Sequence, residues 1–205
     1  MTLDEIGLKT RTDKSSCHHN YCEIYERYFA THRNEKITLV ELGYGGYEFS
    51  DKGGEGARMW LEYFPNANII SIDLFNKTNR PLNTRFTFLQ YSQDNYDLID
   101  TLYRFKPHII IDDASHVCGL TLRSFYNLYQ TLNPGGWYVM EDIEGSFWDT
   151  WSRGTKDYND FLFPHPVNLG RQLINDVNAK YIPGYKKQWD VSEIHFHQNI
   201  ILIRK

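Results

Sequence analysis

The residues that could do chemistry gather at four points: Glu41, Asp73, the run Asp112-Asp113-Ala114-Ser115-His116, and the pair Glu141-Asp142. Each point ends a short apolar run: Ile37–Val40, Ile69–Ile72, Ile109–Ile111 and Trp137–Met140. In an open α/β sheet, ligands bind outside the carboxyl ends of the strands. A single acid at such an end is readily a helix cap. Four on one rim require compensating charge, from a cationic ligand or a metal. Asp113, Glu141 and Asp142 fall on two runs that would be neighbouring strands. Three converging carboxylates without a cation would repel one another and raise their own pKa values. A hard divalent ion, Mg²⁺ or Mn²⁺, relieves that repulsion with carboxylate, water and substrate oxygens. His116 follows Asp113 by three residues, which brings an imidazole near the ion. An isolated histidine is more often structural. Beside three acids it is also a candidate general base, with Asp113 as its partner.

The stretch from Leu39 to Leu74 carries a second kind of chemistry. An apolar run leads to Glu41, then to a glycine loop with Gly43, Gly45 and Gly46, a helix-like segment, a Pro65-Asn66 break, and a second run ending in Asp73. Glycines let backbone approach a ligand where side chains would clash, and an acid after the second strand can accept both ribose hydroxyls. The dinucleotide pattern wants G-x-G-x-x-G, whereas the spacing here is Gly43-x-Gly45-Gly46. The acid before the loop and the shortened glycine pattern favour S-adenosylmethionine over NAD.

The elements that must position these groups follow from periodicity and breaks. Strands are expected at 37–40, 69–72, 86–89, 108–111 and 137–140, with helices at about 21–29, 56–64, 96–105, 120–132 and 167–181. The last two runs, about 189–196 and 199–204, alternate and predict an antiparallel hairpin at a sheet edge. The unbroken apolar run 108–111 suits a strand covered on both faces. Residues 1–20 read as polar. The 205 residues carry no repeat and no linker, so one domain is expected.

Composition narrows the partners. The net charge is −4 with no basic run, which argues against nucleic acid. No apolar stretch approaches the roughly 20 residues that span a bilayer. The polar start lacks a signal-peptide core, and three cysteines suit a reducing, cytoplasmic compartment. Cys17, His18, His19 and Cys22 lack the second ligand pair of a structural zinc site. Aromatic residues make up 16% of the chain, a level that suits a pocket wall or an aromatic core equally.

The segments TDKSS-CHHNYCEIYERYF, LVELGYGG, ARMWLEYFPNANIISIDL, IIIDDASH and LNPGGWYVMEDI resemble the metal-dependent sugar O-methyltransferases, a family that includes mycinamicin-type and rhamnosyl enzymes and has cephalosporin-hydroxylase-like relatives. The resemblance runs through most of the chain to about Ile143. It implies a Rossmann-like class I methyltransferase fold: a seven-stranded, mostly parallel sheet with helices on both faces and an antiparallel C-terminal strand. It implies Mg²⁺ on Asp113, Glu141 and Asp142, with His116 as general base. It places Asp73 on the cofactor ribose and Gln93 and Asp94 near adenine. Thr12, Lys14 and Tyr21 belong to a segment, residues 1–35, that closes over the cofactor's methionine end. Glu41, Gly43, Gly45 and Asp112 are counted on the cofactor side as well.

The expected acceptor is a sugar hydroxyl, rhamnose-like, in a glycan or glycosylated natural product. The stretch 144–168 resembles the family less and is expected to face that acceptor. Its Phe147, Trp148 and Trp151 would either stack on sugar C–H faces or pack a lid. A homo-oligomer stays open. Two other readings compete: a catechol- or phenol-type O-methyltransferase, and a non-catalytic cofactor-binding module. An oxidoreductase has only the glycines and Asp73 in its favour.

Overall fold

The computed structural model describes residues 1–148 and 165–205. The strands follow the order β3-β2-β1-β4-β5-β7-β6 in a seven-stranded sheet whose last two members are antiparallel to their neighbours. The chain divides into two compact units, Met1–Ser92 and Gln93–Lys205.

The first unit holds α1 (Leu3–Thr10), α2 (Tyr21–Phe29), β1 (Thr38–Leu42), α3 (Glu55–Tyr63), β2 (Asn68–Asp73) and β3 (Phe86–Gln90). Its three strands are parallel, with Leu39 beside Ile69 and Ile69 beside Phe86. All five β1 residues are buried. Helix α3 turns Ala57, Met59, Trp60, Leu61 and Tyr63 inward. Arg85 closes its C-terminal end by donating to the carbonyls of Leu61, Phe64 and Ala67 at 2.8 to 2.9 Å. Helix α1 lies in the segment read as merely polar. Thr2 and Glu5 form a reciprocal capping box, and Leu3 and Ile6 supply the buried face.

The second unit holds α4 (Asp97–Phe105), β4 (Ile109–Asp112), α5 (Cys118–Leu128), β5 (Trp137–Glu141), α6 (Pro166–Val177), β6 (Glu193–His197) and β7 (Ile200–Arg204). Strands β4 and β5 are parallel, with Asp112 opposite Met140, so their carboxyl ends share one edge of the sheet. The terminal hairpin starts later than alternation predicts. Trp189 joins Phe125, Tyr126 and Tyr129 in an aromatic cluster, with ring centroids 5.1 to 5.8 Å apart. Helix α5 stops at Leu128 and α6 at Val177, and a short 3-10 turn follows each. Cys17, Cys22 and Cys118 are not joined in a disulfide. Cys22 is buried with its Sγ 3.6 Å from Met59 Sδ. Among the described residues no helix is long and apolar enough to cross a membrane.

One clasp shapes the loop between β1 and α3. Lys77 is buried, and its ammonium donates to the carbonyls of Tyr47 and Phe49, the latter at 3.3 Å. Asn79 donates to Gly53 O at 2.8 Å and accepts, through its own carbonyl, from the Tyr44 hydroxyl at 3.1 Å. Hydrogen bonds from a charged donor contribute about 1.5–3 kcal/mol each way of counting. Replacing Lys77→Met keeps the stem and removes those donors, so it should lower unfolding free energy by about 1.5–3 kcal/mol in urea titrations. An unchanged urea midpoint would show that the ammonium does not hold the loop.

Candidate cofactor and metal sites

In the first unit the glycine loop adopts the left-handed backbone that its sequence calls for. Gly43, Gly45 and Gly46 have φ of 97°, 80° and 76°. A Cβ at Gly46 would meet Lys52 backbone carbon at 2.5 Å, and one at Gly53 would meet Gly45 O at 2.3 Å. The loop therefore needs glycine for its own close self-contact, before any ligand is considered. Asp73, at the end of β2, accepts from the backbone N–H groups of Tyr44 at 2.9 Å and Phe75 at 2.8 Å. A carboxylate has about four acceptor positions, so two remain for a diol.

Glu41 and Lys14 turn out to be interior groups. Trp60 Nε1 donates to Glu41 Oε1 at 3.0 Å, and Lys14 Nζ lies 3.8 Å from the same oxygen. Both side chains are 3% exposed. A buried carboxylate is tolerable only when paired and hydrogen-bonded in this way. Thr12 and Tyr21 are buried too, with Tyr21 stacked on His19.

In the second unit the groups at the ends of β4 and β5 meet. His116 Nε2 is 3.2 Å from Asp113 Oδ1 and 3.7 Å from Asp142 Oδ2. One ligand atom from each of Asp113, His116 and Asp142 lies within 4.8 Å of the others, the spacing of a metal site. Glu141 is not part of that group and is 3% exposed. Successive residues of a strand point to opposite faces. Glu141 still belongs to β5, whereas Asp142 leaves it with a left-handed φ of 49° and swings toward His116. His116 is itself left-handed, at φ 56°.

Supporting contacts fix this loop. Gln93 is buried, accepts from Ser115 N–H at 3.1 Å, and donates to Asp112 Oδ1 and Ser124 Oγ, each at 3.1 Å. Its amide is thus engaged in holding the 112–115 segment. Asp94 pairs with Arg123 Nε at 3.2 Å. Burial pushes the Asp112 carboxyl up to about 7, against a lowering influence of His116. For His116, burial alone lowers the pKa. The hydrogen bond and charge of Asp113, followed by the charges of Asp142 and Glu144, outweigh it and hold the imidazole at about 9.

Asn199 carries a role that spacing did not reveal. It sits in the two-residue turn between β6 and β7, donates from Nδ2 to Asp142 Oδ1 at 2.9 Å, and accepts at Oδ1 from Glu144 N–H at 2.7 Å. The only sequence signal was a turn-forming asparagine between two alternating runs. An open cleft of about 520 Å³ adjoins these residues, lined by Ile143, Glu144, Phe147, Val167, Phe196 and Asn199. Phe147 and Trp148 are 46% and 45% exposed. Trp151, with most of the 144–168 stretch, lies outside the described residues.

Fold and strand order together are those of the class I methyltransferase fold. No protein-family model matches the chain. By sequence it is a homologue of sugar O-methyltransferases. It is 30% identical, over 99% of its length, to the 8-demethyl-8-alpha-L-rhamnosyl tetracenomycin-C 2'-O-methyltransferase of Streptomyces olivaceus. It is 28% identical, again over 99% of its length, to the mycinamicin VI 2''-O-methyltransferase of Micromonospora griseorubida. Those matches take in 54% and 52% of the two proteins, so the chain spans about half the length of the curated relatives it matches. Its fold matches the MycE methyltransferase of the mycinamycin biosynthetic pathway, solved with Mg, SAH and mycinamycin VI, at a TM-score of 0.91 and 27% identity. That comparison covers 100% of this chain and 53% of the other.

The raised His116 pKa has a consequence for stability. The folded form binds this proton more tightly than the unfolded chain, whose histidine titrates near 6.5. The contribution is complete below that value and is lost as pH rises through about 9. Denaturation in EDTA should therefore show lower stability at the alkaline end of this window than at its acid end. His116→Gln should flatten that difference. An equal slope in the variant would place the titrating group elsewhere.

Proposed function

We propose that the chain is an S-adenosylmethionine-dependent O-methyltransferase that uses Mg²⁺ and acts on a sugar hydroxyl. The observation that carries this reading is the convergence of Asp113, His116 and Asp142 on a class I methyltransferase fold. The donor set fits a hard divalent ion, because two carboxylates supply oxygen and the cluster already concentrates negative charge. Asp113 and Asp142 would hold the ion, with Glu141 as the expected third carboxylate. When bound, the ion supplies charge neutralisation and a lowered hydroxyl pKa. When bound, S-adenosylmethionine supplies the methyl group. The ribose would lie on Asp73, beside the loop of Gly43 and Gly45. Glu41, Thr12, Lys14, Tyr21, Gln93, Asp94 and Asp112 are read as the remainder of the cofactor side; several of them act by holding one another in place.

His116 is the general base in this reading. Mg²⁺ prefers oxygen to imidazole nitrogen, which leaves Nε2 able to take the acceptor's proton. The same carboxylates that hold a proton on His116 would be neutralised by a bound cation, so the imidazole would then be free to accept. Asp113 orients the ring. The partly exposed Phe147 and the adjoining cleft offer an apolar wall for the acceptor. General base catalysis contributes about 10²–10⁴-fold, and alignment of two bound reactants about 7–11 kcal/mol. Cysteines not joined in disulfides accord with the expected cytoplasmic compartment.

The test is methyl transfer from S-adenosylmethionine to a panel of rhamnosides, related glycosides and catechols, with Mg²⁺ or EDTA. Transfer to glycosides that EDTA abolishes is the expected result. Transfer to catechols alone, or undiminished transfer in EDTA, would overturn the reading. His116→Ala should cut turnover at least about 100-fold while cofactor affinity, measured by calorimetry, stays put. Wild-type turnover in that variant would remove His116 from the chemistry.

A further inference from the structure

One residue of the β6–β7 turn reaches three consecutive residues of the segment that carries Asp142. The Asn199 side chain donates to Asp142 Oδ1 and accepts from Glu144 N–H, and its backbone carbonyl accepts from Ile143 N–H at 3.4 Å. The direction of the amide is forced. A backbone N–H can only donate, so the end facing Glu144 is the oxygen, and the NH₂ end must face the carboxylate. With Oδ1 of Asp142 engaged, Oδ2 is the oxygen turned toward His116, at 3.7 Å.

This grip answers a local need. Asp142 has a left-handed backbone, a region that residues with a Cβ populate sparsely. Such a conformation persists only where the surroundings over-determine it. The turn itself would be served by glycine, since Asn199 is also left-handed, with φ 62°. Turn geometry accounts for the backbone of Asn199 and leaves its amide unexplained.

We infer that Asn199 is a positioning residue: it sets the orientation of the Asp142 carboxylate and thereby the affinity of the cluster for a divalent cation. The inference rests on the proposed reading of that cluster as a metal site. Groups that orient metal ligands typically contribute about 10–100-fold to affinity.

The test uses Mn²⁺ alone as a probe, with binding followed by electron paramagnetic resonance on the whole chain without S-adenosylmethionine. Asn199→Gly retains a left-handed turn and removes only the amide. Its dissociation constant for Mn²⁺ should rise about 10–100-fold, with the thermal midpoint and S-adenosylmethionine affinity close to wild type. Gln198→Gly loosens the same turn and keeps the Asn199 amide that bonds Asp142 and Glu144, and should bind Mn²⁺ as wild type does. Equal weakening in both variants would assign the effect to turn rigidity and overturn the inference. Wild-type Mn²⁺ affinity in Asn199→Gly would also overturn it, while leaving the metal site standing. Absence of Mn²⁺ binding by the wild-type chain would remove the metal site and the inference together.

Discussion

Like charge brought close is the constraint on which the second half of this structure turns. Asp113 and Asp142 follow the carboxyl ends of two parallel, paired strands. Both carboxylates come within reach of His116 Nε2, at 3.2 and 3.7 Å. Their field holds a proton on the imidazole to about 9, against the opposing effect of burial. A proton is thus the smallest cation that this cluster accommodates. In the proposed reading a divalent ion would meet the same demand more fully, since it can bind two carboxylates at once.

The backbone around the cluster is kept in sparsely populated conformations by contacts from elsewhere in the unit. His116 and Asp142 are both left-handed. Gln93 ties Ser115 to Asp112 and Ser124, and Asn199 ties Asp142 to Glu144. In each case a neutral amide is used. An amide can donate to a carboxylate and accept from a backbone N–H at the same time, which a second carboxylate could not do. In the proposed reaction, preorganisation of this kind would spare the site a rearrangement when charge develops.

The first unit solves a different problem. Its glycine loop is shaped by self-contact and by the Lys77 clasp. Asp73 stitches the loop to the end of β2 through Tyr44 N–H and retains acceptor capacity. Lys14 and Glu41 are paired inside, and Trp60 donates to the same carboxylate oxygen. The match to sugar O-methyltransferases extends over 99% of this chain and about half of theirs.

The order of strands and helices was legible in the sequence because apolar runs, glycines and prolines act over a few residues. Glu41, Asp73 and the Asp112–His116 run could be assigned to strand ends for the same reason. The capping box at Thr2 and Glu5 was also local, and was overlooked only because its surroundings are polar. Other features depend on contacts between residues far apart in the chain. Trp189 alternates like a strand residue, yet packs with Phe125 and Tyr129. Gln93 and Lys14 carry no mark of the partners that bury them. That Asp142 turns toward His116 while Glu141 does not was decided where β5 ends, and that Asn199 grips Asp142 was decided 57 residues later in the chain. Periodicity records which face a residue takes within its own element; only folding determines which distant group it meets there.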